Sequence, residues 1–181
     1  MVSTSPADLP ANDRGHPPAE PLTATADARA ATFGRVLALM MASPRHAAMT
    51  LAEANATIAP PLALGQIAMM GAKTTENGPV ALAAAAWWAY VSPEVDQRLT
   101  ASREPHMKLN PNDWKSGDQP WIIEAIGDKR LVSELVKTLA EKHFIGKAAK
   151  LRAVLPDGRV AIGRLDPRPP GATTGAENTK A

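Results

Sequence analysis

Between residues 28 and 165 the hydrophobic positions switch repeatedly between helical and strand-like spacing. Phe33, Val36, Leu37, Met40 and Met41 recur at helical spacing, which predicts a helix from about residue 28. Ser43-Pro44 ends it, because a residue before proline avoids the α region. A second helix is predicted over residues 47–58, stopping before Pro60-Pro61, with His46 at the junction. Gln66-Ile67-Ala68-Met69-Met70 reads as a strand and residues 73–78 as a turn. Residues 79–91 read as a second strand, although their alanines alone also fit a helix. The Asn77-Gly78 turn between the two favours a hairpin. Ser92-Pro93 opens a short helix through about Leu99, with serine as cap and proline at the first helical position. Irregular, charged sequence then runs to Trp114.

Trp121-Ile122-Ile123-Glu124-Ala125-Ile126 is nearly continuous and apolar, as expected of a strand buried on both faces. Leu131, Leu135, Val136 and Leu139 form the stripe of a helix capped by Asp128 or Ser133 and running to about His143. Residues 148–155 and 159–165 flank Pro156-Asp157-Gly158, a hairpin signal. This order predicts an α+β (mixed α/β) fold with a single central sheet flanked by helices. Residues 1–26 and 166–181 are rich in Pro, Ala, Gly and Thr and poor in large apolar side chains. They are expected to be disordered tails around a domain at 27–165.

The apolar run carries one carboxylate, Glu124, which is costly to bury unless paired. The best partner in the chain is His46, in Ala42-Ser43-Pro44-Arg45-His46. Composition narrows the chemistry further. A formal charge of +2 over 181 residues does not suggest a bulk nucleic-acid binder. The absence of cysteine excludes disulfides, thiolate catalysis and cysteine zinc sites. The start lacks a secretory pattern and no apolar run reaches the roughly 18 residues of a membrane span. A cytoplasmic protein is expected. No pair of histidines shows an H-x-x-x-H spacing, so no metal is expected.

Three blocks in order resemble the toxin-activating lysine acyltransferases, which modify repeat-in-toxin (RTX) proteins. They are Leu39-Met40-Met41-Ala42-Ser43-Pro44-Arg45-His46, the segment from Pro79 to Trp87-Trp88-Ala89-Tyr90-Val91-Ser92, and Asp113-Trp114-Lys115-Ser116-Gly117-Asp118-Gln119-Pro120-Trp121-Ile122-Ile123-Glu124. A weaker match covers residues 151–163. The resemblance implies a Gcn5-like N-acyltransferase fold. It implies transfer of a fatty acyl group from acyl-carrier protein to internal lysines of an exported RTX protoxin, in the cytoplasm. It implies a homodimer by analogy, and a catalytic pair of His46 and Glu124. The familiar members have aspartate where this chain has Glu124, so the carboxylate moves by roughly 1.5 Å along an extended side chain.

Acyl transfer to lysine requires removal of a proton from an amine that titrates near ~10.4. It also requires stabilisation of an oxyanion at the thioester. A histidine suits the first need, and a carboxylate on its other ring nitrogen fixes the tautomer. Direct transfer and an acyl-histidine intermediate both remain open. Acyl-CoA enzymes of this fold use a Gln/Arg-x-x-Gly-x-Gly/Ala loop at a helix N-terminus. At that place this chain has Gly127-Asp128-Lys129-Arg130, poor for pyrophosphate. No bound cofactor is expected, and acyl-carrier protein is the expected co-substrate. Its acidity would be met by Lys129, Arg130, Lys137, Lys142, Lys147, Lys150 and Arg152, unless these are an ordinary solvated face. Ser116 and Asp118 are expected to hold the turn, and Trp114 and Trp121 to fill the core. His106 and His143 match no block and are expected at the surface. The rival readings are an acyltransferase with another substrate and a non-catalytic binder of carrier protein or toxin.

Overall fold

A computed structural model of the chain describes residues 24–167, apart from 74, 76, 77, 103, 105 and 155–158. Most of both expected tails, and the Pro156-Asp157-Gly158 turn, lie outside the described residues. The alanine-rich run is a strand: β2 spans Val80–Val91. Its alternation explains the architecture. Ala85, Trp87, Ala89 and Val91 pack on one side with Val36, Met40, Ala54 and Ile58. Ala84, Ala86 and Trp88 pack on the other with Leu135, Leu139 and Phe144. A strand buried on both faces needs small side chains where helices approach closely, and the alanines supply them.

Five strands form one sheet in the order β1-β2-β3-β4-β5. Besides β2, these are β1 (Ile67–Lys73), β3 (Gln119–Gly127), β4 (Ala149–Val154) and β5 (Val160–Leu165). Helices α1 (Ala24–Met41) and α2 (Leu51–Leu64) cover one face, and α4 (Lys129–Lys142) covers the other. α3 (Pro93–Ala101) follows β2. This is the mixed α+β, single-sheet arrangement expected from the pattern, consistent with an acyltransferase-like fold. Ser92 caps α3 and Asp128 caps α4, as expected. Trp114 and Trp121 are both buried core residues.

The pairing of β3 and β4 is parallel and covers just Trp121↔Lys150 and Ile122↔Leu151. Among the described residues every other strand pairing is antiparallel, and an isolated parallel bridge joins Tyr90 to Lys115. Beyond Ile122 the two central strands part, and Glu124 lies on the parted stretch.

Three expectations need correction. α1 begins at Ala24, inside the stretch read as tail. α2 starts at Leu51 rather than 47 and runs through Pro60 and Pro61 to Leu64. Its start is set by a Thr50–Glu53 capping box. The two prolines remove N–H groups from the last turn, but Ile58 and Pro61 are buried there. The end is tied by Gln66 N donating to Pro61 O at 2.8 Å, with Gly65 at φ 67°. Finally, the stretch read as irregular before Trp114 closes in a 3₁₀ turn, Pro111–Trp114.

Candidate active site

α1 ends at Met41, and residues 42–48 form consecutive turns before α2. His46 N donates to Ser43 O at 2.9 Å, and Met49 N donates to His46 O at 2.9 Å. These bonds fold the junction so that the His46 ring turns inward, with its side chain 2% exposed.

The carboxylate arrives from the other side by a break in strand alternation. The β2–β3 register slips between Trp87 and Trp88: Trp87 pairs with Glu124 but Trp88 with Ile122. The extra residue, Ile123, is a bulge, and bulges re-aim neighbouring side chains. Trp121 and Ile123 face α1 and α2, and Ile122 faces α4. Strict alternation would send Glu124 to the α4 side. The slip turns it toward α1 and α2 instead, and restores Ala125 to the α4 side and Ile126 to the other.

Glu124 Oε2 lies 3.1 Å from His46 Nε2, and Ser43 Oγ lies 3.0 Å from His46 Nδ1. Glu124 Oε1 accepts from Arg45 in a close ion pair. The two residues singled out from sequence are therefore in contact, flanked by two neighbours that sequence reasoning missed. Ser43 and Arg45 stood in the same Ser-Pro-Arg-His block, but nothing in linear order tells which side chain turns toward Glu124. With Glu124 a carboxylate held by Arg45, it accepts from Nε2–H. In the neutral ring Nδ1 is then the unprotonated nitrogen and accepts from the Ser43 hydroxyl; in the imidazolium it donates to Ser43 Oγ.

His106 was expected at the surface and is instead half-buried, its ring 5.4 Å from that of His46. Burial, then the neighbouring His46 ring and the Arg45 guanidinium, push its pKa down, opposed by Glu124 and Glu53. Its sequence neighbourhood carries no signal, because the contact comes from the path of the irregular segment after α3. The donor atoms of His46, His106 and Glu124 all lie within 4.8 Å of one another. His143 is exposed, with its ring 4.8 Å from that of Trp88.

His46 itself lines a cleft of about 270 Å³ with Met40, Met49 and Thr50, and two further clefts are bordered by its neighbours. One, of about 530 Å³, is bordered by Arg45, Met49, Thr57, His106, Met107 and Trp114. The other, of about 130 Å³, lies where β3 and β4 part and is bordered by Arg45, Met107, Glu124, Val132 and Leu151. Arg45 and Met107 line both.

In the third block, Ser116, Gly117 and Asp118 make contacts that hold the turn before β3. Ser116 Oγ donates to Asp113 O at 3.1 Å and accepts from Ser92 N at 2.9 Å. Asp118 pairs with Lys147 at 2.8 Å, which holds its carboxyl below the usual range. A Cβ at Gly117 would overlap Val91 O, so the turn packs directly on the end of β2.

The model of the RTX toxin acyltransferase family matches residues 25–162. The chain belongs to that family. A lysine-acyltransferase, RtxC, of Vibrio cholerae serotype O1 is 32% identical over 115 residues, covering 62% of this chain and 69% of that protein. Membership makes the protein an acyltransferase and places Ser43, Arg45, His46, His106 and Glu124 all within the matched span. Among the described residues no helix is long and apolar enough to cross a membrane.

Proposed function

We propose that the protein transfers a fatty acyl group from an acyl-carrier protein to lysines of an exported RTX-type protein, in the cytoplasm, with His46 as general base. The observation that carries this reading is the chain Ser43–His46–Glu124, with contacts of 3.0 and 3.1 Å, inside a member of an acyltransferase family. The name of the Vibrio relative supports lysine as acceptor.

The chemistry follows from the proton positions. Nε2–H is held by Glu124, so Nδ1 is basic. The lysine nitrogen attacks the thioester carbonyl, and its proton passes to Nδ1, either in place of the Ser43 hydroxyl or through it. The imidazolium then has both N–H groups bonded, to Glu124 and to Ser43 Oγ. Collapse of the tetrahedral intermediate breaks the C–S bond, and the carrier thiolate leaves and takes the proton. In the alternative route Nδ1 itself attacks the thioester carbonyl and expels the carrier thiolate; the lysine nitrogen then displaces the imidazole from the acyl group, and its proton goes to the thiolate.

The donor reading rests on the start of α4. Asp128 Oδ1 accepts from Arg130 N and Leu131 N at 3.0 and 3.1 Å. A carboxylate thus occupies the helix N-terminus that a coenzyme pyrophosphate would need. A carrier protein presents its own phosphopantetheine and needs docking charge instead. Lys129, Arg130, Lys137 and Lys142 are exposed along α4. Lys147 and Lys150 are engaged with Asp118 and Asp96, and Arg152 donates to Ser102 O, so α4 supports the docking face better than the hairpin does.

The test is intact mass of a candidate exported substrate after incubation with this protein and acyl-loaded carrier protein. A gain of one acyl group that survives hydroxylamine is the expected result. Acyl-coenzyme A serving equally well would remove the carrier reading, and no gain with any donor would remove the transfer reading.

A further inference from the structure

We propose that His46, His106 and Glu124 form a three-ligand site for a divalent transition ion such as zinc, and that occupying it stops acyl transfer. The second half rests on the reading of His46 as base; the first does not.

The geometry is close to what zinc requires. Two ligands on one tetrahedral zinc, bonded at about 2.0–2.1 Å, sit roughly 3.3–3.4 Å apart. His46 Nε2 and Glu124 Oε2 are already 3.1 Å apart. His106 completes the set with every donor atom within 4.8 Å of the others, so it has to close at most about 1.5 Å to reach that tetrahedral spacing. It lies on the irregular segment between α3 and the 3₁₀ turn, where such a movement disturbs no helix or strand.

The surroundings fit the ion as well. A ligating histidine is held by a hydrogen bond from its other ring nitrogen, and Ser43 Oγ stands 3.0 Å from Nδ1 to accept it. Two imidazoles and one carboxylate select zinc, copper or nickel over magnesium or calcium. Arg45 occupies Glu124 Oε1, so Glu124 ligates through Oε2 alone, and the guanidinium charge weakens the site. Because His106 also borders the 530 Å³ cleft, the ion has a route in.

The block to catalysis is a matter of proton positions. When the ion takes the Nε2 lone pair, the ring proton moves to Nδ1 and is donated to Ser43 Oγ. An imidazole with one nitrogen metallated and the other protonated has no lone pair for the amine proton.

The experiment is a titration of the full chain, freed of metal by dialysis against chelator, with zinc chloride in competition with a chromophoric zinc indicator. One zinc per chain at micromolar affinity or better is expected, with magnesium chloride failing to compete. His106→Gln and Glu124→Gln should each weaken binding at least tenfold, and His143→Gln should leave it unchanged. In the transfer assay, zinc should stop the wild-type protein and chelator should restore it. The transfer shown by His106→Gln should persist at the zinc concentration that stops wild type. Circular dichroism establishes that each variant is folded. No stoichiometric zinc binding by folded wild type, or undiminished binding by His106→Gln, overturns the site. Full occupancy without inhibition overturns the block. A protein that binds zinc as described but transfers no acyl group defeats the reading of the base and leaves the site standing.

Discussion

Glu124 reaches one methylene further than an aspartate, and at this position the extra length serves two contacts: Oε2 meets His46 Nε2 and Oε1 meets Arg45. A counter-intuitive consequence follows. Glu124→Asp, which installs the carboxylate that the sequence resemblance implies at this position, should slow transfer by on the order of 10²-fold, because the shorter side chain cannot span both partners. Initial rates of mass gain check this; an equal or faster rate would mean that the backbone adjusts and Arg45 is dispensable. Glu124→Gln should cost on the order of 10²–10⁴-fold in kcat, since an amide can present its NH₂ to Nε2 and favour the wrong tautomer. His46 and Glu124 were legible in the sequence because a lone carboxylate in an apolar run demands a partner and a family pattern supplied one. Ser43, Arg45 and His106 were not, because their roles depend on how tightly residues 42–48 turn and where residues 102–110 pass.

At the scale of the elements, the bulge at Ile123 and the parting of β3 from β4 place the carboxylate, and the cap of α4 secures the end of β3. Gly127 has φ 114°, and a Cβ there would overlap Ala83 O. Gly127→Ala should therefore destabilise more than Asp128→Ala, which removes a cap worth about 1 kcal/mol and should lower Tm by about 2–4 °C. Thermal unfolding measures both. Acid acts on a different cap. Hydrogen bonds from the Thr50 backbone and hydroxyl hold Glu53 below its usual value of 4.5. A depressed carboxylate contributes stability above its unfolded pKa and loses it as pH falls through the folded one. Part of the stability should thus vanish as pH drops below about 4.5, and Thr50→Ala, which removes the hydroxyl bond but keeps the larger backbone one, should reduce that part of the curve in urea unfolding at neutral and acid pH.

The helical stripes followed from periodicity, the strand over residues 79–91 from the Asn77-Gly78 signal before it, and the caps of α3 and α4 from Ser92-Pro93 and Asp128. The bulge did not, since a single extra residue in a continuous apolar run leaves no mark on its hydrophobic pattern. The Pro60-Pro61 breaker signal failed because burial of Ile58 and Pro61 outweighs the lost helix bonds.

For the molecule as a whole, the central question is what it carries and to whom. Docking through the exposed cations of α4 predicts that KM for acyl-carrier protein rises with salt. Reversing the charge of Lys129, Arg130 and Lys137 should raise it further while leaving kcat near wild type. A response confined to kcat would place docking elsewhere. The reaction itself is tested most directly by following intact mass of the exported substrate over time with wild-type protein and His46→Ala side by side. The account predicts a hydroxylamine-stable gain of one acyl group with wild type and no gain above background with the folded variant. A gain of equal rate in the variant would contradict it.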